Sequence, residues 1–370
     1  MQRKIVILGS TGSIGENALN IVRDFPDEFK VVGLATGSNS ARLAEQAREF
    51  GVKHTALGGK CGIGIPACSC SSPIDAIASL PEADLVVCAI VGMAALSPVL
   101  AAIEAGHDVA IATKEVLVAA GEIVTRRAAA KGVRFLPVDS EHSAIFQALQ
   151  DANSVSTISR LILTASGGPF ASRPDIDFET VTPALALNHP RWKMGPKVTI
   201  DSATMMNKGL EILEARWLFD IPVERIAVLI HPESIVHSLV EFGDGAQLAQ
   251  LGMPDMRLPI QYAMTWPRRL PNPALPRLDL AKIATLNFRE ADETRFPCLR
   301  LAREASAAGG LVPAVMNAAN EAAVAAFLRN EIKFSDIPRR IETAMSRTPP
   351  SPTPPTLDDI LAADARAREM

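Results

Sequence analysis

Two stretches of this 370-residue sequence carry residues whose types and spacing could hold a metal ion. The first is Asp139-Ser140-Glu141, which closes an apolar run, Val133 to Val138, that reads as a strand. Residues two apart on a strand project to one side, so both carboxylates would converge on one cation, and hard oxygen donors suit magnesium or manganese. A lone acidic pair of this kind is common on surfaces. The second stretch is a helix expected to start near Ser202. Met206, Leu210, Leu213 and Trp217 form its apolar stripe, with Asn207, Glu211 and Glu214 beside them and Lys208 adjoining. A solvated face would have the same composition, but the apolar neighbours of Lys208 and Glu211 leave little surface for solvent. These polar groups are therefore expected to line a site.

Further segments could serve a small anionic substrate. Lys114, in Ala112-Thr113-Lys114-Glu115, follows a strand on the edge where open α/β sheets bind ligands. Ser166-Gly167-Gly168-Pro169-Phe170 follows another strand and could present backbone NH groups to an anion, or be a plain turn. His189-Pro190-Arg191-Trp192-Lys193-Met194-Gly195 joins a histidine, a tryptophan and two cations between prolines, a composition suited to a lid over a phosphorylated substrate.

A nucleotide end is readable as well. Gly9-Ser10-Thr11-Gly12-Ser13-Ile14-Gly15 lies between the first strand and the first helix, where glycines let the backbone approach a pyrophosphate that the helix N-terminus stabilises. The spacing is GxxGxxG rather than GxGxxG, and its place in a βαβ unit is what gives it weight. The second strand ends in Ala35-Thr36-Gly37-Ser38-Asn39, with no carboxylate for the ribose hydroxyls. That favours NADPH, with Ser38, Asn39 and Arg42 as candidates near the 2'-phosphate; a polar helix cap is the alternative.

These residues need a frame. Apolar runs at Lys4 to Leu8, Lys30 to Ala35, Ala83 to Ile90, Asp108 to Ala112 and Val133 to Val138 alternate with helical patterns at Glu16 to Arg23, Ala41 to Phe50 and Val116 to Lys131. This predicts a doubly wound parallel sheet. Beyond Asp151, strands are expected at Arg160 to Thr164, Arg225 to Ile230, Ile235 to Phe242 and Ala246 to Leu251, in a mostly antiparallel sheet. Four prolines between Trp266 and Leu280 suggest an extended linker, and alanine-rich segments at Cys298 to Ala308, Val312 to Arg329 and Ser335 to Ser346 a helical end. The expected class is α/β: a Rossmann-like domain over 1–150, a central α+β catalytic domain over 151–265, a linker over 266–285 and a C-terminal helical domain over 286–370.

A net charge of -4 gives no general attraction to nucleic acid or anionic lipid. The uncharged stretch Leu85 to Ile103 is long enough to span a bilayer, but Gly92 and Pro98 break it, so no membrane association is expected. Residues 1–8 lack a secretory signal, and five cysteines, an odd number, suit a reducing compartment; a cytoplasmic protein is expected. Cys61, Cys68 and Cys70 crowd a Gly/Pro/Ser-rich stretch without the paired spacing of a zinc site, and read as a surface loop.

Taken in order, GSTGSIG at 9–15, TKE at 113–115, DSEH at 139–142, SGGPF at 166–170, HPRWKMG at 189–195, DSATMMNKGLE at 201–211 and AVMNAANEAA at 314–323 resemble the 1-deoxy-D-xylulose 5-phosphate reductoisomerase family. The resemblance implies an NADPH- and divalent-metal-dependent rearrangement and reduction of that ketose phosphate to 2-C-methyl-D-erythritol 4-phosphate, an isoprenoid precursor, by a homodimer. It implies a metal (Mg2+, Mn2+ or Co2+) on Asp139, Glu141 and Glu211, and substrate contacts from Lys114, Ser140, Ser166, His189, Ser202, Asn207 and Lys208. Trp192 and Met194 would close over the substrate. NADPH would meet Thr11, Gly12, Ser13, Ile14, Gly37, Ser38, Asn39, Thr113, Glu115 and Gly195. The chain departs from the family pattern at Thr113, usually asparagine, at Ser38, where a basic residue is frequent, and in the segment Gly58 to Ser72. Two rival readings stay open: a metal-free NADP-dependent dehydrogenase of the same layout, and a non-catalytic NADPH-binding sensor or scaffold.

Overall fold

In the computed structural model of the chain, residues 2–58, 74–150, 157–192, 194–349 and 354–369 are described. The chain divides into two compact units, residues 1–116, 124–143 and 255–276 in one, and 117–123, 144–254 and 277–370 in the other.

The first unit is built on six parallel strands: β1 (Arg3–Leu8), β2 (Phe29–Thr36), β3 (His54–Leu57), β4 (Leu85–Cys88), β5 (Asp108–Ile111) and β6 (Phe135–Pro137), in the order β3-β2-β1-β4-β5-β6. Ile5 to Leu8 and Leu85 to Cys88 are completely buried. Helices cover both faces of such a sheet, which is why these strands read as unbroken apolar runs. The intervening helices are α1 (Ser13–Asp24), α2 (Ser40–Phe50), α3 (Ile74–Ala78), α4 (Leu96–Glu104), α5 (Lys114–Lys131) and α6 (Ser140–Ala148). Left-handed Gly51 and Gly132 end α2 and α5, satisfying carbonyls that the helices leave open. The strand order reverses between β1 and β4, and it is outside the carboxyl ends of strands at such a switch point that open sheets bind ligands.

Part of the proline-rich stretch belongs to this unit rather than to a free linker. Asn272 is buried and donates to Gln261 Oε1 at 2.9 Å and Asp24 Oδ2 at 3.1 Å, and Gln261 donates to the Leu270 carbonyl at 2.8 Å. These side-chain bonds replace the ladder bonds that prolines cannot make. Helix α10 (Arg257–Thr265) leads into this segment and packs on α1.

The second unit holds a five-stranded sheet of β7 (Ile158–Ala165), β8 (Ile226–Ile230), β9 (Val236–Phe242), β10 (Gln247–Leu251) and β11 (Arg289–Glu290), ordered β10-β9-β7-β8-β11. Only the β7–β8 pairing is parallel. Its helices include α7 (Pro183–Ala186), α8 (Pro196–Ala203), α9 (Met206–Phe219), α11 (Leu280–Ile283), α12 (Pro297–Ala308), α13 (Val312–Leu328), α14 (Asp336–Ser346) and α15 (Leu357–Arg368). One apolar cluster runs from Leu161 and Leu163 on β7 through Leu210 and Leu213 on α9 to Leu299 on α12, Met316 on α13 and Ile341 on α14. The central α+β part and the helical end thus share a core, since α9 is apolar on the face that α12 covers. The single helix expected from Ser202 onward is two: Met205, at φ 62°, breaks it and starts α9 afresh.

Candidate functional site

The nucleotide end forms as the glycine spacing requires. Gly9 has φ +84°, and a Cβ there would lie 2.5 Å from the Ala89 carbonyl oxygen after β4; a Cβ at Gly15 would lie 2.3 Å from Gly9 O. Only glycines let the turn, the neighbouring strand end and α1 come this close. Gly12 caps α1 with no side-chain bond, and Gly12 and Ser13 are exposed. Thr11 and Ile14 flank them, with Thr11 Oγ1 2.5 Å from Thr36 Oγ1. Past β2, Gly37, Ser38 and Asn39 are exposed. Asn39 is a helix cap, accepting from Arg42 N at 3.1 Å. The Arg42 guanidinium is engaged by Glu16 at 2.6 Å and Glu45 at 2.8 Å, which raises its pKa above the usual arginine value.

After β5, Thr113 and Glu115 are buried, and Thr113 Oγ1 donates to Ile90 O at 2.5 Å. Lys114 opens α5, and its Nζ donates to Asp139 Oδ2 at 2.5 Å. The expectation that Asp139 and Glu141 alternate on a strand is not met. β6 stops at Pro137, and Ser140 and Glu141 form the first turn of α6, with Ser140 Oγ donating to Glu141 Oε2 at 2.5 Å. Carboxylates at a helix N-terminus are stabilised by its dipole, so they gather here by helix capping rather than by pleat. Helical spacing also brings in His142, absent from the sequence-based set: its Nδ1 lies 3.3 Å from Asp139 Oδ2. Read as a helix start, DSEH would have shown that pairing. Burial opposes ionisation of Asp139, yet the Lys114 ammonium and His142 override it and hold the carboxyl well below the usual carboxylate range.

The second unit gathers the remaining residues. Lys208 and Glu211, 4% and 1% exposed, pair one turn apart on α9, and Asn207 Nδ2 donates to Glu211 Oε1 at 2.6 Å. Glu214, one turn further, is fully buried. Gly167 and Gly168 both have positive φ, +83° and +60°, and a Cβ on Gly168 would lie 2.5 Å from Ser202 O. The Ser166 loop therefore rests on the end of α8 that carries Ser202. Phe170 fixes the loop from behind, edge-on to Phe334 at 5.4 Å between centroids.

His189 sits 3.1 Å from Ser166 through its Nε2, while its Nδ1 accepts from Trp192 N at 2.9 Å and Arg191 N at 3.2 Å. Two donors at Nδ1 leave the proton on Nε2, so the ring is neutral and donates toward Ser166. Burial lowers the His189 pKa and favours that form. Trp192 and Met194 are half-buried and Gly195 caps α8; Lys193 lies outside the described residues, as do Cys61, Cys68 and Cys70. Cys88 and Cys298 are free thiols that burial pushes up to about 11 and about 12. Among the described residues, no helix is long and apolar enough to cross a membrane.

Comparison with known proteins identifies the family. Residues 5–121 match the profile of 1-deoxy-D-xylulose 5-phosphate reductoisomerase, 135–219 that of its C-terminal domain, and 251–370 that of the DXP reductoisomerase C-terminal domain. The 1-deoxy-D-xylulose 5-phosphate reductoisomerase of Pelotomaculum thermopropionicum is 49% identical, with 100% of this chain and 97% of the relative covered. That of Prosthecochloris aestuarii is 50% identical, covering 99% and 98%. The Zymomonas mobilis enzyme solved in complex with NADPH superposes with a TM-score of 0.91 at 41% identity over 100% of this chain and 98% of that one. A DOX-P reductoisomerase solved with NADPH, fosmidomycin and magnesium gives 0.91 at 37%, covering 99% and 97%. With matches of this extent along its whole length, the chain belongs to the 1-deoxy-D-xylulose 5-phosphate reductoisomerase family.

Proposed function

We propose that this chain converts 1-deoxy-D-xylulose 5-phosphate to 2-C-methyl-D-erythritol 4-phosphate with NADPH and a divalent cation. The observation that carries the reading is two lysine–carboxylate contacts, the partly buried Lys114–Asp139 and the buried Lys208–Glu211, in a chain matched along its length by the family. Asp139, Glu141 and Glu211 are hard oxygen donors with two held beside lysines, and they fit magnesium, manganese or cobalt as ligands. The N-terminus of α1 and the close glycines of its turn fit the pyrophosphate of NADPH. Thr11, Gly12, Ser13, Ile14, Gly37, Ser38, Asn39, Thr113, Glu115 and Gly195 are its proposed contacts.

When bound, the cation supplies Lewis acidity to neighbouring ketose oxygens and the dinucleotide supplies a hydride. The chain's residues do the rest. Lys114 steadies negative charge developing on the substrate, and Ser140, Asn207 and Lys208 orient its oxygens. Ser166, Ser202, Asn207 and His189 receive the phosphate, with the His189 Nε2 proton held on the Ser166 hydroxyl beside it. Trp192 and Met194 close over the substrate and exclude water.

The first unit is read as the NADPH-binding part and the second as the catalytic and helical part. A homodimer in the cytoplasm is the expected working form, in keeping with free buried thiols and a net charge of -4. The test is NADPH oxidation driven by the ketose phosphate, with and without EDTA. Activity lost on chelation and restored by magnesium supports the reading. Activity surviving chelation points to the metal-free dehydrogenase, and none with any metal to a binding protein.

A further inference from the structure

Helix α13 carries two asparagines, Asn317 and Asn320, in an otherwise alanine-rich and buried run, Val315 to Val324. Both are fully buried. Asn320 Nδ2 donates to Asp201 Oδ1 at 2.9 Å, and Asp201, 1% exposed on α8, is also 2.8 Å from Lys197 Nζ one turn earlier. The polar atoms are not well served. Among the described residues, Asn317 Oδ1 and Asn320 Oδ1 are buried without a hydrogen-bond donor, and Asp201 Oδ2 meets only the Lys197 ammonium. Asparagine is also a poorer helix former than the alanines around it. A helix that served only as packing would fill these positions with apolar side chains, and departures of this kind from local consistency are expected at functional sites.

What the network touches gives it a role. Asp201 precedes Ser202, and its backbone carbonyl accepts from Thr204 Oγ1 at 3.2 Å; the same hydroxyl accepts from Met206 N at 3.3 Å at the start of α9. Lys197 lies in the first turn of α8, directly after the segment 189–195. One buried carboxylate thus ties both ends of α8 to each other, and Asn320 ties it to α13. We propose that Asn320 is a positioning residue for the phosphate end of the site: by holding Asp201 against Lys197 it fixes where Ser202 and the α9 terminus stand.

This inference rests on the functional reading above, and its test separates the two. Asn320→Ala should raise KM for the ketose phosphate on the order of tenfold and leave kcat and the KM for NADPH near wild type, the pattern of lost ground-state binding. Calorimetry should show fosmidomycin binding weakened to the same degree. Should Asn320→Ala not accumulate as folded protein, Asn320→Leu, which is close in size and has no donor, takes its place in the same comparison. The double variant Asp201→Asn/Asn320→Asp keeps an amide–carboxylate bond but moves the charge from α8 to α13. It should retain the KM defect. An unchanged KM in the single variant, equal losses toward both substrates, or full recovery in the exchanged pair would overturn the positioning role. A wild-type chain inactive on the ketose phosphate would instead count against the functional reading.

Discussion

The Lys114–Asp139 and Lys208–Glu211 pairs look alike and are made differently. Lys208 and Glu211 are three residues apart on one helix, both almost wholly buried. Lys114 and Asp139 come from the ends of neighbouring parallel strands, 25 residues apart, and keep 13% and 17% of their side-chain surface. The first is local geometry sunk into a core, where charge is costly unless partnered. The second is assembled by sheet topology at the carboxyl edge of the sheet, where the helix N-terminus at Ser140 helps to stabilise the Asp139 carboxylate. The pairs therefore differ in what each lysine does for the protein when no substrate is bound.

The largest effect expected is on chemistry. Glu211→Gln keeps the shape and removes the charge that α9 is proposed to offer a divalent cation, a contribution of several kcal/mol, so kcat should fall about a thousandfold. NADPH affinity, measured by fluorescence titration, should stay within about twofold, because that site is read in the other unit. Turnover near wild type would remove Glu211 from the metal ligands and leave the two pairs unrelated.

The same contrast explains what the sequence made legible. Helical spacing exposed the Asn207, Lys208 and Glu211 group, because a period of 3.6 needs only the residues themselves. The parallel sheet was equally plain: buried runs such as Ile5 to Leu8 have no other common explanation beside amphipathic helices. His142 was missed because DSEH was taken as the end of a strand, and where β6 stops decides which side chains meet. The short strands β3 and β11 were missed too, since four and two residues carry no readable period. Nor could composition show that the alanine-rich end shares a core with the central sheet. A shared core depends on which faces meet, as when α12 covers α9, and that is long-range information.

Stability should separate the pairs next. Lys208→Met strands Glu211 in a site 1% exposed and should cost about 3 kcal/mol, with a melting point lower by several degrees. Lys114→Met leaves Asp139 with His142, a helix terminus and some water, and about 1 kcal/mol is expected. Equal melting points for the two variants would show that burial does not distinguish them.

The smallest effect expected is one of pH, and it tests whether His189 follows the buried or the edge pattern. Burial lowers its pKa below the usual 6.5, so the neutral ring with its proton on Nε2 persists as the pH falls past that value. Only below the lowered pKa does Nδ1 gain a proton and lose its two backbone donors from Arg191 and Trp192. Because the folded value lies below the unfolded one, the stability tied to the neutral ring is complete above 6.5 and is lost as pH drops through the folded value. Asp139 does not contribute in that window, since its carboxyl stays ionised well below it. The profile of kcat/KM for the ketose phosphate should therefore show an acid limb below pH 6.5 that His189→Gln removes, at a cost of about tenfold in kcat/KM at neutral pH. A limb that survives in the glutamine variant would assign the titration to a group other than His189.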